Sequence, residues 1–185
     1  RAIPGMTVLN PADAIETKKV IEKAVEHEGP VYIRLGRPGV PVLFSEDYDF
    51  QIGKANVLKE GKDVTLIATG ILVNEALLAS EILAEEGIEA GVLNIACIKP
   101  IDKEAIIKAA SSSGAVVTCE EHNILGGLAS AVSEVLVENC PVPLERVGVE
   151  DTFGRSGSPA ELLEYFSLTK EEIVLKAKKV ISRKK

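Results

Sequence analysis

Two arginine residues lie three positions apart at the end of an apolar run. Residues 31–36 are predicted to form a β-strand, with Arg34 inside this run and Arg37 just beyond it. Ligands of open α/β sheets bind beyond the carboxyl ends of the strands. A guanidinium group in that position can bind a phosphate through two parallel hydrogen bonds. The pattern therefore indicates an anion site at Arg34 and Arg37, and the alternative is a surface arginine paired with Glu46 or Asp47.

A second polar segment joins a predicted strand to a predicted helix. Glu120, Glu121 and His122 are followed shortly by Gly126 and Gly127. Glycines before a helix can expose backbone N–H groups to an anion, and carboxylates beside a histidine suggest acid–base chemistry or a metal. A close-packed turn is the third interpretation, because glycine lets backbones approach each other.

A Gly/Ser-rich loop covers residues 151–159. Ser156 and Ser158 could be considered as nucleophiles, but no base is placed beside either in the sequence. Pro159 suits the first turn of a following helix. Helix capping and loop closure are therefore the predicted roles of this segment.

The hydrophobic pattern alternates between strands and helices. Strands are predicted at 6–9, 31–36, 52–58, 63–69, 89–96, 115–120 and 144–149, and helices at 12–27, 72–86, 102–111, 126–138, 159–166 and 170–183. Parallel strands joined by helices make right-handed crossovers and a three-layer sandwich. A turn at 59–62 predicts that 52–58 and 63–69 pair as an antiparallel hairpin.

The predicted elements divide the chain into two parts. The opening β-α-β unit, residues 1–36, is too small to bury a core of its own, and the breaker-rich and acidic segment 37–51 is predicted to be a linker. The predicted fold class is α/β. It comprises a three-layer α/β/α sandwich with a five-stranded, mostly parallel mixed sheet, preceded by a β-α-β remnant of a second α/β domain. We expect the boundary between 1–45 and 46–185.

Composition excludes several functional classes. The net charge of −7 opposes nucleic-acid binding, which requires a basic surface. No apolar stretch approaches the roughly 18 residues of a membrane span, so no membrane partner is expected. The cysteines at 97, 119 and 140 are far apart and odd in number, which favours a reducing cytoplasm. Neither zinc-ligand spacing nor a nucleophile elbow is present.

Three stretches carry a resemblance to a known family. Residues 93–102, 118–127 and 155–163 lie within a run from 53 to 181 that resembles the C-terminal domain of transketolases. Residues 1–13 and 33–37 resemble the end of the preceding pyrimidine-binding domain. The resemblance therefore assigns 1–45 to the end of that domain and its linker, and 46–185 to the C-terminal domain.

The resemblance implies an activity for the complete enzyme. Transketolases use thiamine diphosphate and magnesium to move a two-carbon ketol unit between sugar phosphates, in the pentose phosphate pathway. Arg37 matches the family's substrate-phosphate arginine. Arg34 is the second candidate for that role, and a structural salt bridge is the alternative for Arg34. The glutamate that activates the cofactor and the diphosphate-binding residues match nothing in this sequence. We therefore expect no catalytic, cofactor-binding or metal residue here, and no activity from this chain alone.

The resemblance also implies partners. An N-terminal transketolase section or subunit would complete the enzyme, and the C-terminal domain would build a homodimer. Two relatives of the same architecture are the alternatives: the C-terminal part of 1-deoxyxylulose-5-phosphate synthase, and an assembly module like the beta subunit of a 2-oxo acid dehydrogenase. Residues 155–163 resemble transketolase most.

Overall fold

Strands and helices alternate through most of the chain. The computed structural model describes residues 1–37 and 39–184. Its elements, in chain order, are β1 (Thr7–Leu9), α1 (Ala14–Glu26), β2 (Val31–Ile33), β3 (Asn56–Lys59), β4 (Val64–Ala68), α2 (Leu72–Glu85), β5 (Ala90–Asn94), β6 (Cys97–Lys99), α3 (Lys103–Ser113), β7 (Val116–Asn123), α4 (Leu128–Asn139), β8 (Leu144–Val149), α5 (Pro159–Tyr165) and α6 (Lys170–Ile181).

Five strands form the main sheet, in the order β3-β5-β4-β7-β8. The last four in this order run parallel to one another, and β3 is an antiparallel edge strand. Every residue of β4 and β5 is buried. Such continuous apolar burial is typical of parallel strands that are covered on both faces. The predicted five-stranded, mostly parallel mixed sheet is therefore confirmed.

Helices cover both faces of this sheet. On one face α2 and α6 bury Leu72, Leu83 and Ile173 against β4. On the other face α3 and α4 bury Ile106 and Leu128. The result is the predicted three-layer α/β/α arrangement, and it holds the carboxyl ends of β4, β7 and β8 along one edge.

The predicted hairpin between 52–58 and 63–69 is wrong. β3 pairs with β5, with Val57 opposite Leu93, because β4 already lies between two parallel partners, β5 and β7. The connection 60–63 crosses the start of β5 instead of turning back within one ladder. A Cβ atom on Gly61 would lie 2.0 Å from the Gly91 amide nitrogen, so only glycine permits this crossing.

A small second sheet contains the opening unit, in the order β2-β1-β6. β1 runs parallel to β2 and antiparallel to β6, with Leu9 opposite Cys97. Residues 1–36 thus add no strand to the five-stranded sheet, as predicted. The pairing with β6 was not predicted, because a three-residue strand next to Pro100 has the sequence pattern of a turn.

The segment between the two sheets is packed although it has little regular structure. Phe44 and Phe50 are buried. The Phe44 ring stacks on the Tyr48 ring with centroids 4.2 Å apart. These aromatic contacts make the predicted linker a well-packed connection.

Candidate functional site

A cleft of about 1100 Å³ opens where the small unit faces the carboxyl ends of the main sheet. Its walls come from the residues that follow β2, from the end of β7 and from the loop after β8. Arg34 and Arg37 both line it. Residues beyond strand ends therefore form this cleft, at the position where α/β sheets bind ligands.

Arg37 is exposed at the cleft wall. The two carboxylates that could have neutralised it have other partners. Glu46 pairs with Lys18 at 3.4 Å, and Asp47 accepts a hydrogen bond from Ser45. Across residues 1–37 and 39–184, no carboxylate forms an ion pair with Arg37. The guanidinium group is thus available to an anion in the cleft.

Arg34 is held in place by its neighbours. Its backbone N–H donates to the Leu9 carbonyl at 2.8 Å, which continues the β1–β2 ladder. Its Nη1 donates to Glu121 Oε2 at 3.0 Å, and both side chains are half-buried. Arg34 therefore bridges the small unit and the main sheet. One guanidinium N–H donates to Glu121, and an arginine side chain has four further N–H donors.

Glu120 caps helix α4 with its side chain. Its carboxylate accepts from the Leu128 N–H at 2.7 Å and from the Ala129 N–H at 2.8 Å. The group is buried, and burial raises its pKa, while the two backbone hydrogen bonds lower it. The N–H groups that a sequence pattern could assign to an external anion are occupied by the protein's own carboxylate.

Gly127 makes this cap possible. A Cβ atom at Gly127 would lie 2.0 Å from Glu120 Oε2. Gly127 thus belongs to a close-packed turn, which was one of the three interpretations left open, whereas a Cβ atom at Gly126 would meet nothing within 4 Å. Glu120 and Glu121 face different partners, so they do not act as a carboxylate pair. His122 Nδ1 lies 2.8 Å from the Asn123 carbonyl oxygen and 3.9 Å from Glu120 Oε2.

The loop after β8 ends in a helix cap, as predicted. Ser158 Oγ donates to Glu161 Oε2 at 2.6 Å, and the Ser158 N–H donates to the same oxygen at 2.9 Å. Pro159 follows at the start of α5. The Arg155 guanidinium lies 4.4 Å from the centre of the Tyr165 ring, a cation–π contact that closes the loop.

The described ranges contain neither a metal-binding cluster nor a membrane-spanning helix. Within them, no three His, Cys, Asp or Glu side chains lie closely enough together to hold a metal ion. No helix among these residues has the length and apolar character needed to cross a bilayer.

A buried polar cluster at the joint between the two parts escaped the sequence prediction. Asp13 and Glu16 lie at the start of α1, and Glu16 contacts Asn94 in the main sheet. The signal was present as Asp followed three residues later by Glu, a spacing typical of a helix N-terminus. Nothing in that spacing indicates the contact with Asn94.

Two family models match the chain in succession. Residues 1–42 match the transketolase pyrimidine binding domain, and residues 53–173 match the transketolase C-terminal domain. The two matches meet at the packed segment described above.

Named relatives agree with these matches. A 6-deoxy-6-sulfo-D-fructose transketolase subunit from Clostridium sp. (strain MSTE9) is 52% identical over 184 residues, which are 100% of this chain and 57% of the relative. An apulose-4-phosphate transketolase subunit from Phocaeicola vulgatus is 43% identical over 174 residues, 94% of this chain and 55% of the relative.

A solved structure described as a split gene transketolase, inactive beta4 tetramer, superposes with a TM-score of 0.98. It is 51% identical, and the match covers 100% of this chain and 61% of the solved one. This chain therefore spans somewhat more than half the length of these relatives. Because the C-terminal domain match alone covers most of the chain, the protein belongs to the transketolase family, as a C-terminal section that joins the end of the pyrimidine-binding domain to the C-terminal domain.

Proposed function

We propose that this chain is the substrate-anchoring and assembly section of a thiamine-diphosphate-dependent transketolase. The complete enzyme would transfer a two-carbon ketol unit between sugar phosphates. The observation that carries this proposal is Arg37, which lines the cleft beside Arg34 without a carboxylate partner among the described residues. We place the domain boundary between residues 45 and 46.

Arg37 suits a sugar phosphate for chemical reasons. A guanidinium fork donates two parallel N–H bonds to phosphate oxygens, and charge-assisted bonds of this kind are about twice as strong as neutral ones. Arg34 is the second contact of the proposed site. Its bond to Glu121 uses one N–H, and we propose that this bond holds the remaining donors towards the cleft that Arg34 lines.

The cofactor chemistry belongs to residues outside this chain. Thiamine diphosphate supplies the carbanion chemistry of ketol transfer when bound, and its diphosphate requires magnesium held by carboxylate and phosphate oxygens. We propose that an N-terminal section or subunit supplies this site, and that the isolated chain is inactive, because the chain spans only 57% of a relative that is itself named as a subunit.

Self-assembly is the second part of the proposal. The related structure is described as a tetramer of beta chains that is inactive, and two relatives are named as subunits. We propose that this chain builds the homodimer on which the N-terminal partner assembles.

Its three cysteines are unpaired thiols, as expected for a cytoplasmic enzyme.

A sulfonated sugar is a second candidate substrate. The relative with 52% identity is named for 6-deoxy-6-sulfo-D-fructose. A sulfonate presents three oxygens to a guanidinium fork as a phosphate does, but carries one negative charge where a phosphate carries about two at neutral pH. The same two arginines could therefore bind either group.

Reconstitution with the N-terminal partner tests the proposal. The chain is assayed for ketol transfer alone and together with the N-terminal section from the same genome, with thiamine diphosphate and magnesium present. Three donors are compared: fructose 6-phosphate, its 6-sulfo analogue and hydroxypyruvate. We expect activity only in the reconstituted pair, and the preferred donor identifies the anionic group. Activity or micromolar cofactor binding by the chain alone would contradict the proposed division of labour.

A further inference from the structure

Glu16 is a fully buried carboxyl group at the joint between the small unit and the main sheet. Its Oε2 accepts from the Ala12 N–H at 2.7 Å. Its Oε1 accepts from the Tyr48 hydroxyl at 2.9 Å and from Asn94 Nδ2 at 2.7 Å. One carboxyl group thus connects the start of α1, the segment after β2 and strand β5.

No cation compensates this carboxyl group in the part of the chain that the structure describes. Asp13, on the same helix, adds a second negative charge. Tyr48 faces it from the connecting segment, and its phenol remains neutral because burial raises the pKa well above the usual value. The β-strands contribute only the neutral amides of Asn94 and Asn56. Burial, the largest effect, therefore raises the pKa of Glu16 to about 7, against three hydrogen bonds that lower it.

Asn94 supplies independent evidence for a proton at this place. Its Oδ1 is buried and accepts no hydrogen bond within the described residues. A buried acceptor without a donor is destabilising. A neutral carboxylic acid has an O–H to donate and can form two parallel hydrogen bonds with a primary amide, whereas an ionised carboxylate can only accept. A protonated Glu16 would carry the donor that the Asn94 oxygen lacks.

We propose that Glu16 is a proton-dependent latch of the interdomain joint, closed when Glu16 is protonated and weakened when it is ionised. The joint comprises Asp13, Glu16, Asn94 and the segment 43–48. Because Asp13 Oδ2 accepts from the Leu43 and Phe44 amides, ionisation of Glu16 places two negative charges side by side behind this segment. Segment 43–48 then loosens, while the main sheet stays folded.

The direction of the pH dependence follows from proton linkage. The folded chain holds the Glu16 proton more tightly than the unfolded chain, in which the pKa is about 4.5. The stability that this proton contributes is complete below that value. It falls as the pH rises from about 4.5 to about 7, and it is absent above.

Urea unfolding of the 185-residue chain between pH 5 and pH 8 measures this linkage. One extra bound proton changes the ratio of folded to unfolded chain by up to about tenfold per pH unit. Glu16→Gln should remove this component of the pH dependence below pH 7. Glu22→Gln, an exposed position on the same helix, should retain it. Wild-type pH dependence in Glu16→Gln would overturn the proposal.

Two measurements on the wild-type chain decide the matter even if Glu16→Gln fails to fold. A titration of ¹³C-labelled glutamate carboxyl resonances should show a group with a midpoint near neutrality, and only ordinary midpoints would refute the latch. Hydrogen exchange should show that the Leu43 and Phe44 amides open at a lower free energy than the Leu66 amide in β4, with their protection falling between pH 5 and pH 7. The same level of protection at all three amides would show that the segment opens only by global unfolding and would refute a local latch.

Discussion

The Arg34 guanidinium and the Glu121 carboxylate form an ion pair across the cleft, with Nη1 and Oε2 3.0 Å apart. Arg34 follows β2, and Glu121 lies in β7, so this contact joins the small unit to the main sheet. Arg37, three residues later, is exposed at the wall of the same cleft. We therefore interpret Glu121 as a residue that positions the cationic wall of the cleft.

Loss of the Glu121 charge should have a small effect on stability. The side chains of Arg34 and Glu121 are 32% and 35% exposed, and ion pairs so open to solvent contribute at most about 1 kcal/mol. We expect Glu121→Gln to lower the free energy of unfolding by less than that, as measured in urea. KM for phosphorylated donors in the reconstituted enzyme should rise, because Arg34 loses the charge that holds its guanidinium group at the cleft. An unchanged or lower KM would instead indicate that Glu121 only adds negative charge to the cleft and does not position Arg34.

Arg37→Ala should selectively weaken the binding of phosphorylated donor substrates. A charge-assisted arginine–phosphate contact contributes roughly 1.5–3 kcal/mol. KM for a sugar phosphate should then rise by about 10- to 150-fold, with a smaller fall in kcat if the phosphate is held equally in ground and transition states. Hydroxypyruvate, which has no phosphate, should be affected much less.

Arg146→Ala is the matched control for this experiment, because Arg146 is exposed and lies outside the cleft. It should leave both donors unaffected. Equal losses for both donors in a folded Arg37→Ala enzyme would show that Arg37 has a structural role.

The main sheet was predictable because its strands are continuous apolar runs separated by amphipathic helices. The order of the strands at the edge was not. β3 has four residues and is followed by a turn. The same sequence pattern is expected whether the next strand, β4, pairs directly with β3 or lies one strand further into the sheet, as it does here. Only the parallel partners on both sides of β4 decide between the two arrangements.

Part of the geometry around the cleft was predictable. The position of Arg34 and Arg37 beside it follows from their place at a strand end. The hydrogen bonds that Glu120 accepts from Leu128 and Ala129 could not be predicted, because they depend on how α4 packs after β7. Glu16 reaches Asn94, 78 residues away in sequence. Contacts at such separations are set by the assembled sheet and leave no local pattern.

Gly127→Ala should be strongly destabilising. The added methyl group would lie 2.0 Å from Glu120 Oε2, and Glu120 can retreat only by giving up its bonds to Leu128 and Ala129. We expect a loss of about 2–4 kcal/mol from overpacking and unsatisfied N–H groups, measured by urea unfolding.

Gly126→Ala provides the contrast at the neighbouring position. Nothing lies within 4 Å of a Cβ there, but φ is +80°, so only backbone strain of about 1–2 kcal/mol is expected. In a chain that already carries Glu120→Ala, Gly127→Ala should lower the free energy of unfolding much less than it does in the wild-type chain. Additive losses would show that the clash with Glu120 is not the cause.

Asp13→Ala should detach the connecting segment from α1. The buried Asp13 carboxylate accepts from the Glu16, Leu43 and Phe44 amides, at 2.7, 2.6 and 2.9 Å. Alanine leaves all three donors without this acceptor, and each buried unsatisfied group costs about 1–3 kcal/mol before relaxation. We expect a loss of roughly 3–5 kcal/mol in urea unfolding, accompanied by faster hydrogen exchange at Leu43 and Phe44.

Thr169→Ala separates this effect from ordinary helix capping. Thr169 caps α6 through a single long contact, 3.5 Å from its Oγ1 to the Glu172 amide nitrogen. Its removal should cost about 1 kcal/mol, a typical value for an N-cap, without any change in exchange at Leu43. Because only Asp13 also binds the connecting segment, the difference between the two variants measures how strongly that carboxylate holds the interdomain joint. Similar losses in both variants would mean that Asp13 acts as a helix cap and contributes nothing to the joint.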